Sequence, residues 1–251
     1  MKKPIMTHGI SIRNVSFSYP NKTFSLKNIS LDLEKGGFLG ITGVNGSGKS
    51  TFSFLLNGLI PHLVKGKFKG VVTVDGIPTS NNNVSFWAKK VGFLFQNPDF
   101  SLFNLTVAEE LEFGLKNLKM DKIAERTKKA LHTLGLDGYA GRDPQTLSFG
   151  QKQKVALACI LALETDYLVL DEPIAQLDFI SSKELYGVLK KLNNFGKTVV
   201  VVEHDTDFLY RFTKEVVILD RGKIRSFGPT QKVLSDKKLL DKLGVKVPYG
   251  S

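Results

Sequence analysis

The feature that most constrains this 251-residue chain is one octapeptide, Gly43-Val44-Asn45-Gly46-Ser47-Gly48-Lys49-Ser50. It matches G-x-x-x-x-G-K-[ST] in full. Before it stands Phe38-Leu39-Gly40-Ile41-Thr42, an apolar run that reads as a buried strand. After it, residues 51–59 read as a helix. Glycines in such a loop let the backbone curl until successive N–H groups point inward at phosphate oxygens. The helix behind adds its positive N-terminal end. Lys49 supplies a point charge to the β- and γ-phosphates, and the Ser50 hydroxyl can ligate Mg²⁺. Any fold for this chain must place a strand end beneath that loop.

The rest of the chain reads as strands alternating with helices. Residues 11–18 form a β-rich run, and residues 26–34 alternate apolar with polar, as a half-buried strand does. Residues 70–76 read as a short strand and turn, and residues 91–95 as another buried strand. Thr106-Val107-Ala108-Glu109 is a capping box that opens a helix through about residue 116. Further helices are expected over residues 121–134, 148–163 and 181–192, with strands over 167–170, 198–202 and 216–219. Gly222 and Gly228 bracket a last strand, before a lysine-rich helical tail. Buried strands alternating with helices indicate an α/β domain with a largely parallel sheet.

Composition narrows the class. The longest apolar run, residues 155–163, is nine residues, well short of the ~20 that span a bilayer. It reads as a buried helix. Residues 1–4 are basic without an apolar stretch behind them, so no signal peptide is expected. Cys159 sits alone inside that apolar helix, as a small core side chain rather than a nucleophile. The formal charge of +11 permits polyanionic partners. Its lysines are scattered, and no basic–aromatic stretch reads as a nucleic-acid motif, so no nucleic acid is expected.

A second constellation lies downstream. Leu168-Val169-Leu170-Asp171-Glu172 is an apolar strand ending in two acids. The first carboxylate can hold Mg²⁺. The second is placed to orient or deprotonate a water.

At this point the chain resembles ABC-type ATPases, through the two constellations above and five further motifs. Leu147-Ser148-Phe149-Gly150-Gln151 resembles the LSGGQ signature, and Gln96 after Phe95 looks like the Q-loop glutamine. Ala175-Gln176-Leu177-Asp178 resembles the D-loop, and His204 after a valine strand looks like the switch histidine. Tyr19 looks like the adenine-stacking aromatic. The resemblance implies a P-loop NTPase fold: a RecA-like core with an antiparallel β subdomain over about residues 8–95 and 146–228, a helical insertion over about 97–145 and a helical tail over about 229–251. It implies ATP and Mg²⁺ as ligands. Nucleotide contacts fall on Tyr19, Gly43, Asn45, Gly46, Ser47, Gly48, Lys49, Ser50 and Thr51. Ser148, Gly150, Gln151 and Asp178 would meet the opposite subunit's nucleotide. Ser50, Gln96 and Asp171 become the metal ligands, and Glu172, His204 and Gln96 the hydrolytic residues. The unit implied is a head-to-tail dimer with two composite sites.

One position departs from the pattern. Phe149 stands where the signature usually has glycine, which removes easy access to positive φ and adds bulk. The site completed by this signature is expected to be altered, and the partner to be a different ATPase chain. Phe95-Gln96-Asn97-Pro98-Asp99, Thr106-Val107-Ala108-Glu109-Glu110 and Asn57-Gly58-Leu59-Ile60-Pro61 further resemble the ATPases of energy-coupling factor (ECF) transporters, which import vitamins and transition-metal ions. That resemblance implies a transmembrane coupling protein and a substrate-binding membrane protein as partners, at the cytoplasmic face of the membrane. Phe100, Leu102 and Phe103 are expected as exposed contacts for the coupling helix. Two alternatives stay open: a soluble ABC-type ATPase without a membrane partner, and a nucleotide-sensing regulatory subunit. A P-loop kinase or GTPase would leave residues 147–151 unexplained.

Overall fold

Five apolar strands run side by side and in parallel because both faces of each are covered. In the computed structural model, which describes residues 8–20 and 25–249, the chain passes in order through β1 (Ile10–Ser18), β2 (Leu26–Leu33), β3 (Phe38–Thr42), α1 (Lys49–Leu56), α2 (Leu59–His62), β4 (Lys67–Val74), β5 (Ile77–Pro78), α3 (Val84–Ala88) and β6 (Val91–Leu94). It continues through α4 (Val107–Asn117), α5 (Ile123–Thr133), α6 (Phe149–Ala162), β7 (Tyr167–Asp171), α7 (Phe179–Asn194), β8 (Thr198–Val202), α8 (Thr206–Phe212), β9 (Glu215–Asp220), β10 (Lys223–Pro229), α9 (Thr230–Leu234) and α10 (Lys237–Leu243). The basic start at residues 1–4 lies outside the described residues.

The larger sheet has the order β10-β9-β3-β8-β7-β6. The strands from β9 to β6 are parallel, and β10 closes the edge antiparallel to β9. Every residue of β3, β7 and β8 is buried, which is why these strands read as continuous apolar runs rather than alternations. Successive side chains still go to opposite faces. Val199 and Val201 pack with α4–α7, whereas Val200 and Val202 pack with α1 and the second sheet. That second sheet, β2-β1-β4-β5, is antiparallel throughout. A third cluster seats α8, α9 and α10 on β9 through Leu209, Ile218, Leu234 and Leu240. The chain beyond α10 then returns to α8, where Lys246 Nζ lies 2.6 Å from Asp207 Oδ2 and Thr206 Oγ1 donates to Lys246 O at 3.0 Å.

Three sequence expectations shift. The helix expected over 51–59 starts at Lys49 and stops at Leu56, because Gly58 turns left-handed (φ 74°) and breaks the run. The strand expected from residue 70 begins at Lys67, since pairing with β1 (Ser18 opposite Lys67) recruits lysines that apolar patterning passes over. Three short helices escape the periodicity, α2, α3 and α8. The caps of the last two were legible: Asn83 accepts from Phe86 N, and Asp205 from Asp207 N. Between β6 and β7 the described residues carry helices and no strand. No helix among the described residues is long and apolar enough to cross a membrane.

Candidate nucleotide site

In an open parallel sheet, ligands bind beyond the carboxyl ends of the strands. The predicted residues gather there. β3 runs into the loop 43–50, β6 is followed by Gln96, β7 ends on Asp171 with Glu172 next, and β8 is followed by Glu203 and His204.

Gly43 sits at φ 146°, and a Cβ there would lie 2.1 Å from the Leu219 carbonyl oxygen of β9. The loop therefore packs against the sheet at its first residue. Gly48, at φ 107°, is the N-cap of α1, so Lys49 and Ser50 form the first helical turn with their N–H groups free for a ligand. Lys49 Nζ donates to Gly43 O at 2.9 Å and Val44 O at 3.2 Å. Burial holds the Lys49 ammonium below its ordinary pKa, while Glu172 and Asp171 pull it back up. Ser47 Oγ is buried with no hydrogen-bond partner among the described residues. Asn45 and Gly46 are exposed at the loop tip.

Asp171 tests whether Mg²⁺ fits. Its carboxylate is buried, and Oδ1 has no hydrogen-bond partner among the described residues. Burial raises its pKa first, and the Glu172 charge raises it further. A hydrogen bond from Ser50, with Lys49 and His204, lowers it. A buried, orphaned carboxylate oxygen beside a hydroxyl is a hard-oxygen donor set suited to Mg²⁺.

Glu172 is held on both oxygens. Gln96 Nε2 donates to Oε2 at 2.6 Å, and His204 Nε2 lies 2.9 Å from Oε1. Residues from two strand ends, β6 and β8, thus converge on a carboxylate at the end of a third, β7. Its backbone is left-handed at φ 50°, rare for a non-glycine residue, and its N–H is tied to Val202 O at 3.0 Å. The geometry suits a carboxylate that orients a water.

Tyr19 packs edge-on against Phe17, and its hydroxyl lies 3.2 Å from Thr51 Oγ1, which places the ring beside the first turn of α1. The signature opens α6. Ser148 caps it by accepting from Gln151 N, and Gln151 Oε1 accepts in return from Ser148 N at 3.0 Å. Gln151 Nε2 donates to Tyr139 OH at 3.0 Å, so the Gln151 amide is engaged at both ends within the chain. Asp178 caps α7, and hydrogen bonds from Ser181 lower its pKa. Ser148, Phe149, Gly150, Gln176 and Asp178 line one groove of about 550 Å³. No hydrogen bond among the described residues joins that groove to the loop 43–50.

Two expectations are corrected here. Phe149 is the first residue of α6 and does not take a positive φ, so glycine's backbone freedom is not required at that position. Its bulk remains as the departure. Leu102 is 3% exposed and belongs to the core, whereas Phe100 and Phe103 are exposed as expected.

Sequence reasoning passed over Gln153 and Glu203. Both are buried, Gln153 Nε2 donating to Pro173 O at 3.1 Å and Glu203 Oε1 accepting from Ile174 N at 3.3 Å. A signal was available for Glu203, which closes the apolar run of β8; Gln153 lies between Lys152 and Lys154 and carried none. Burial, with the nearby charges of Glu172 and Asp205, pushes the Glu203 pKa up to about 8 from an ordinary 4.5. A folded state that keeps a proton the unfolded chain has lost is stabilised at low pH. That contribution is complete below about pH 4.5 and vanishes as pH rises through about 8. Thermal melts should therefore show wild-type stability falling between pH 5 and 8 relative to Glu203→Gln. Parallel profiles would contradict the assigned burial of a neutral carboxyl.

A glycine-rich loop on a strand end, two acids on a second strand and a histidine on a third define a P-loop ATPase. Comparison with known proteins narrows the class. The ABC transporter family matches residues 26–175. A putative ABC transporter ATP-binding protein of Pyrococcus horikoshii is 44% identical over 243 residues, covering 95% of this chain and 86% of that one. The energy-coupling factor transporter ATP-binding protein EcfA of Methanosarcina acetivorans is 42% identical, covering 92% and 83%. Among solved structures, cbiO1 of Clostridium perfringens, described as part of the ABC transporter complex cbiONQ, superposes with a TM-score of 0.81 at 29% identity, covering 94% of each chain. The dimeric MJ0796 cassette bound to ADP and Pi gives a TM-score of 0.77 at 31% identity, covering 88% of this chain and 99% of that one. The chain belongs to the ABC transporter ATP-binding family and is an ATPase.

Proposed function

We propose that this chain is the ATP-hydrolysing subunit of an ECF-type importer of a vitamin or a transition-metal ion, bound peripherally at the cytoplasmic face of the membrane. The observation that carries the hydrolytic half is the convergence of Gln96 and His204 on Glu172. The loop 43–50 takes the phosphates, with Lys49 released from its carbonyls to meet the β- and γ-oxygens. Tyr19 offers its ring to adenine, and Thr51 lies beside it. When bound, Mg²⁺ neutralises phosphate charge; Ser50, Asp171 and Gln96 are the residues that would hold it. Glu172 orients the attacking water and accepts its proton, while His204 holds the carboxylate and faces the γ-phosphate. Ser148 and the N–H groups at the start of α6, with Asp178, supply the other half of a composite site to a second ATPase subunit packed head to tail. Two ATP molecules favour the closed pair because each γ-phosphate contacts both subunits when it is closed.

The importer half is supported by the ECF-named relatives and by exposed aromatics after Gln96. Phe103 and Phe113 pack edge to face as an exposed apolar face, and Phe100 is exposed in the same stretch as Phe103. Such a face suits a helix of a membrane partner. Co-purification from detergent-solubilised membranes tests it: two transmembrane chains should co-elute, and a chain recovered alone from the soluble fraction would favour the soluble-ATPase reading.

Phe149 supports a non-identical partner. It lines the same groove as Ser148 and Gly150, where a glycine would leave more room for a phosphate. In a Glu172→Gln background with ATP and Mg²⁺, the purified chain is expected to stay monomeric by light scattering, and Phe149→Gly to shift it toward a homodimer. Equal dimerisation of both proteins would remove Phe149 from that role.

A further inference from the structure

One peptide unit in the catalytic turn is gripped from both sides. β7 delivers Asp171, the left-handed Glu172 follows, and the peptide one further on joins Pro173 to Ile174. Its carbonyl accepts from Gln153 Nε2 at 3.1 Å, and its N–H donates to Glu203 Oε1 at 3.3 Å. The two gripping residues come from different parts of the site. Gln153 projects from α6, whose N-cap is the signature serine, Ser148. Glu203 precedes His204, and its own N–H donates to Ile41 O of β3 at 2.9 Å, just before the phosphate loop.

Neither residue is a cheap way to fill a core. Gln153 is fully buried and its Oε1 has no hydrogen-bond partner among the described residues. Glu203 places a carboxyl group in the interior near Glu172 and Asp205. Burying polar groups incompletely satisfied is unfavourable, and apolar side chains of similar volume avoid it. What both side chains share is that single peptide. Downstream the turn runs through Ala175 N to Glu172 O and Leu177 N to Ile174 O, then to Gln176 at φ 66° and the α7 cap Asp178. Fixing the peptide therefore fixes Glu172 on one side and the D-loop on the other. The signature helix touches the same turn a second time, since a Cβ on Gly150 would sit 3.1 Å from Leu177 Cδ2.

We infer that Gln153 and Glu203 are positioning residues that clamp the Pro173–Ile174 peptide and so make the placement of Glu172 depend on the placement of the signature helix α6. A subunit whose α6 is displaced holds its catalytic carboxylate off line; docking of α6 against the partner's nucleotide restores it. The inference rests on the reading of Glu172 as the residue that activates water.

The test uses the full chain in the complex as purified, with Gln153→Met, Glu203→Met and Glu203→Gln alongside Glu172→Gln. A misplacement of about 1 Å at a reacting group costs on the order of 10²-fold in rate. Both methionine variants are expected to lose about 10- to 100-fold in kcat. KM and the affinity for a fluorescent ATP analogue should stay within about twofold, the split that separates lost positioning from lost uniform binding. Glu203→Gln keeps an acceptor oxygen and should retain most of kcat. The double methionine variant should be little worse than either single one, because both act on one peptide. Wild-type kcat in folded methionine variants overturns the clamp, and so does a parallel fall of kcat and nucleotide affinity in both. If Glu172→Gln keeps its turnover, the reading of Glu172 falls instead. Hydrogen exchange on the wild-type chain needs no variant: the Ile174 amide should be protected as strongly as the amides of β7, and rapid exchange there overturns the clamp.

Discussion

Glu172→Gln is expected to bind ATP with an affinity within about threefold of wild type and to lose on the order of 10²- to 10⁴-fold in turnover, the range that a positioned general base contributes. The substitution is nearly isosteric. Glu172 Oε2 accepts from Gln96 Nε2, and Oε1 lies against His204 Nε2. An amide keeps one acceptor oxygen, and the Gln96 amide can turn to accept from the new NH₂ group. What disappears is the charge and the basic lone pair. The phosphate contacts lie elsewhere, on the loop 43–50, so binding survives. Lys49 loses one of the two carboxylates that hold its ammonium up against burial, which predicts a small change in affinity rather than none. Single-turnover phosphate release and titration with a fluorescent ATP analogue separate the two effects. Turnover equal to wild type would show that the water is activated by another group.

Most of this site was legible because its chemistry sits at strand ends. The five parallel strands are continuous apolar runs, and the residue after each run is where the backbone leaves the sheet. Gly43, Asp171 and Glu172 could therefore be set at strand ends from the runs themselves, and the resemblance to ABC-type ATPases added Gln96 and His204, even though up to 161 residues (43 to 204) separate them in sequence. The capping box at Thr106 was equally plain, since it is a local pattern with a local hydrogen-bond partner, and the structure shows the same device at Ser148. The parts that were not legible depend on long-range geometry. Nothing local says that Gln153 and Glu203 meet one peptide, because one lies on a helix and the other on a strand end. Leu102 and Phe103 are neighbours with opposite fates, since the core formed by α4 and α6 takes one and leaves the other outside. The backbone argument at Phe149 failed for a related reason. It assigned a glycine-like φ to a residue that simply starts a helix.

Gly43→Ala should abolish most nucleotide binding, although it adds one methyl group. The new Cβ would lie 2.1 Å from Leu219 O and 2.9 Å from Ser47 Oγ, and Leu219 O belongs to a strand, not to a flexible side chain. β9 cannot retreat, because it is paired along its length with β3 and β10. The loop must move instead. Gly43 O is also the acceptor for Lys49 Nζ, so displacing residue 43 shifts the lysine and the first N–H groups of α1 together. The φ of 146° adds strain of about 1–3 kcal/mol for an L side chain. Since about 1.4 kcal/mol is tenfold in binding, affinity should fall at least about tenfold and the melting temperature should drop. Gly46→Ala is the internal comparison: its φ is 74°, but nothing lies within 4 Å of its added Cβ. That variant bears a single left-handed penalty of roughly 1–2 kcal/mol and should melt well above Gly43→Ala. Melting temperatures in the opposite order would mean that the loop is not held by its contact with β9, and that its shape is imposed by the nucleotide when it arrives.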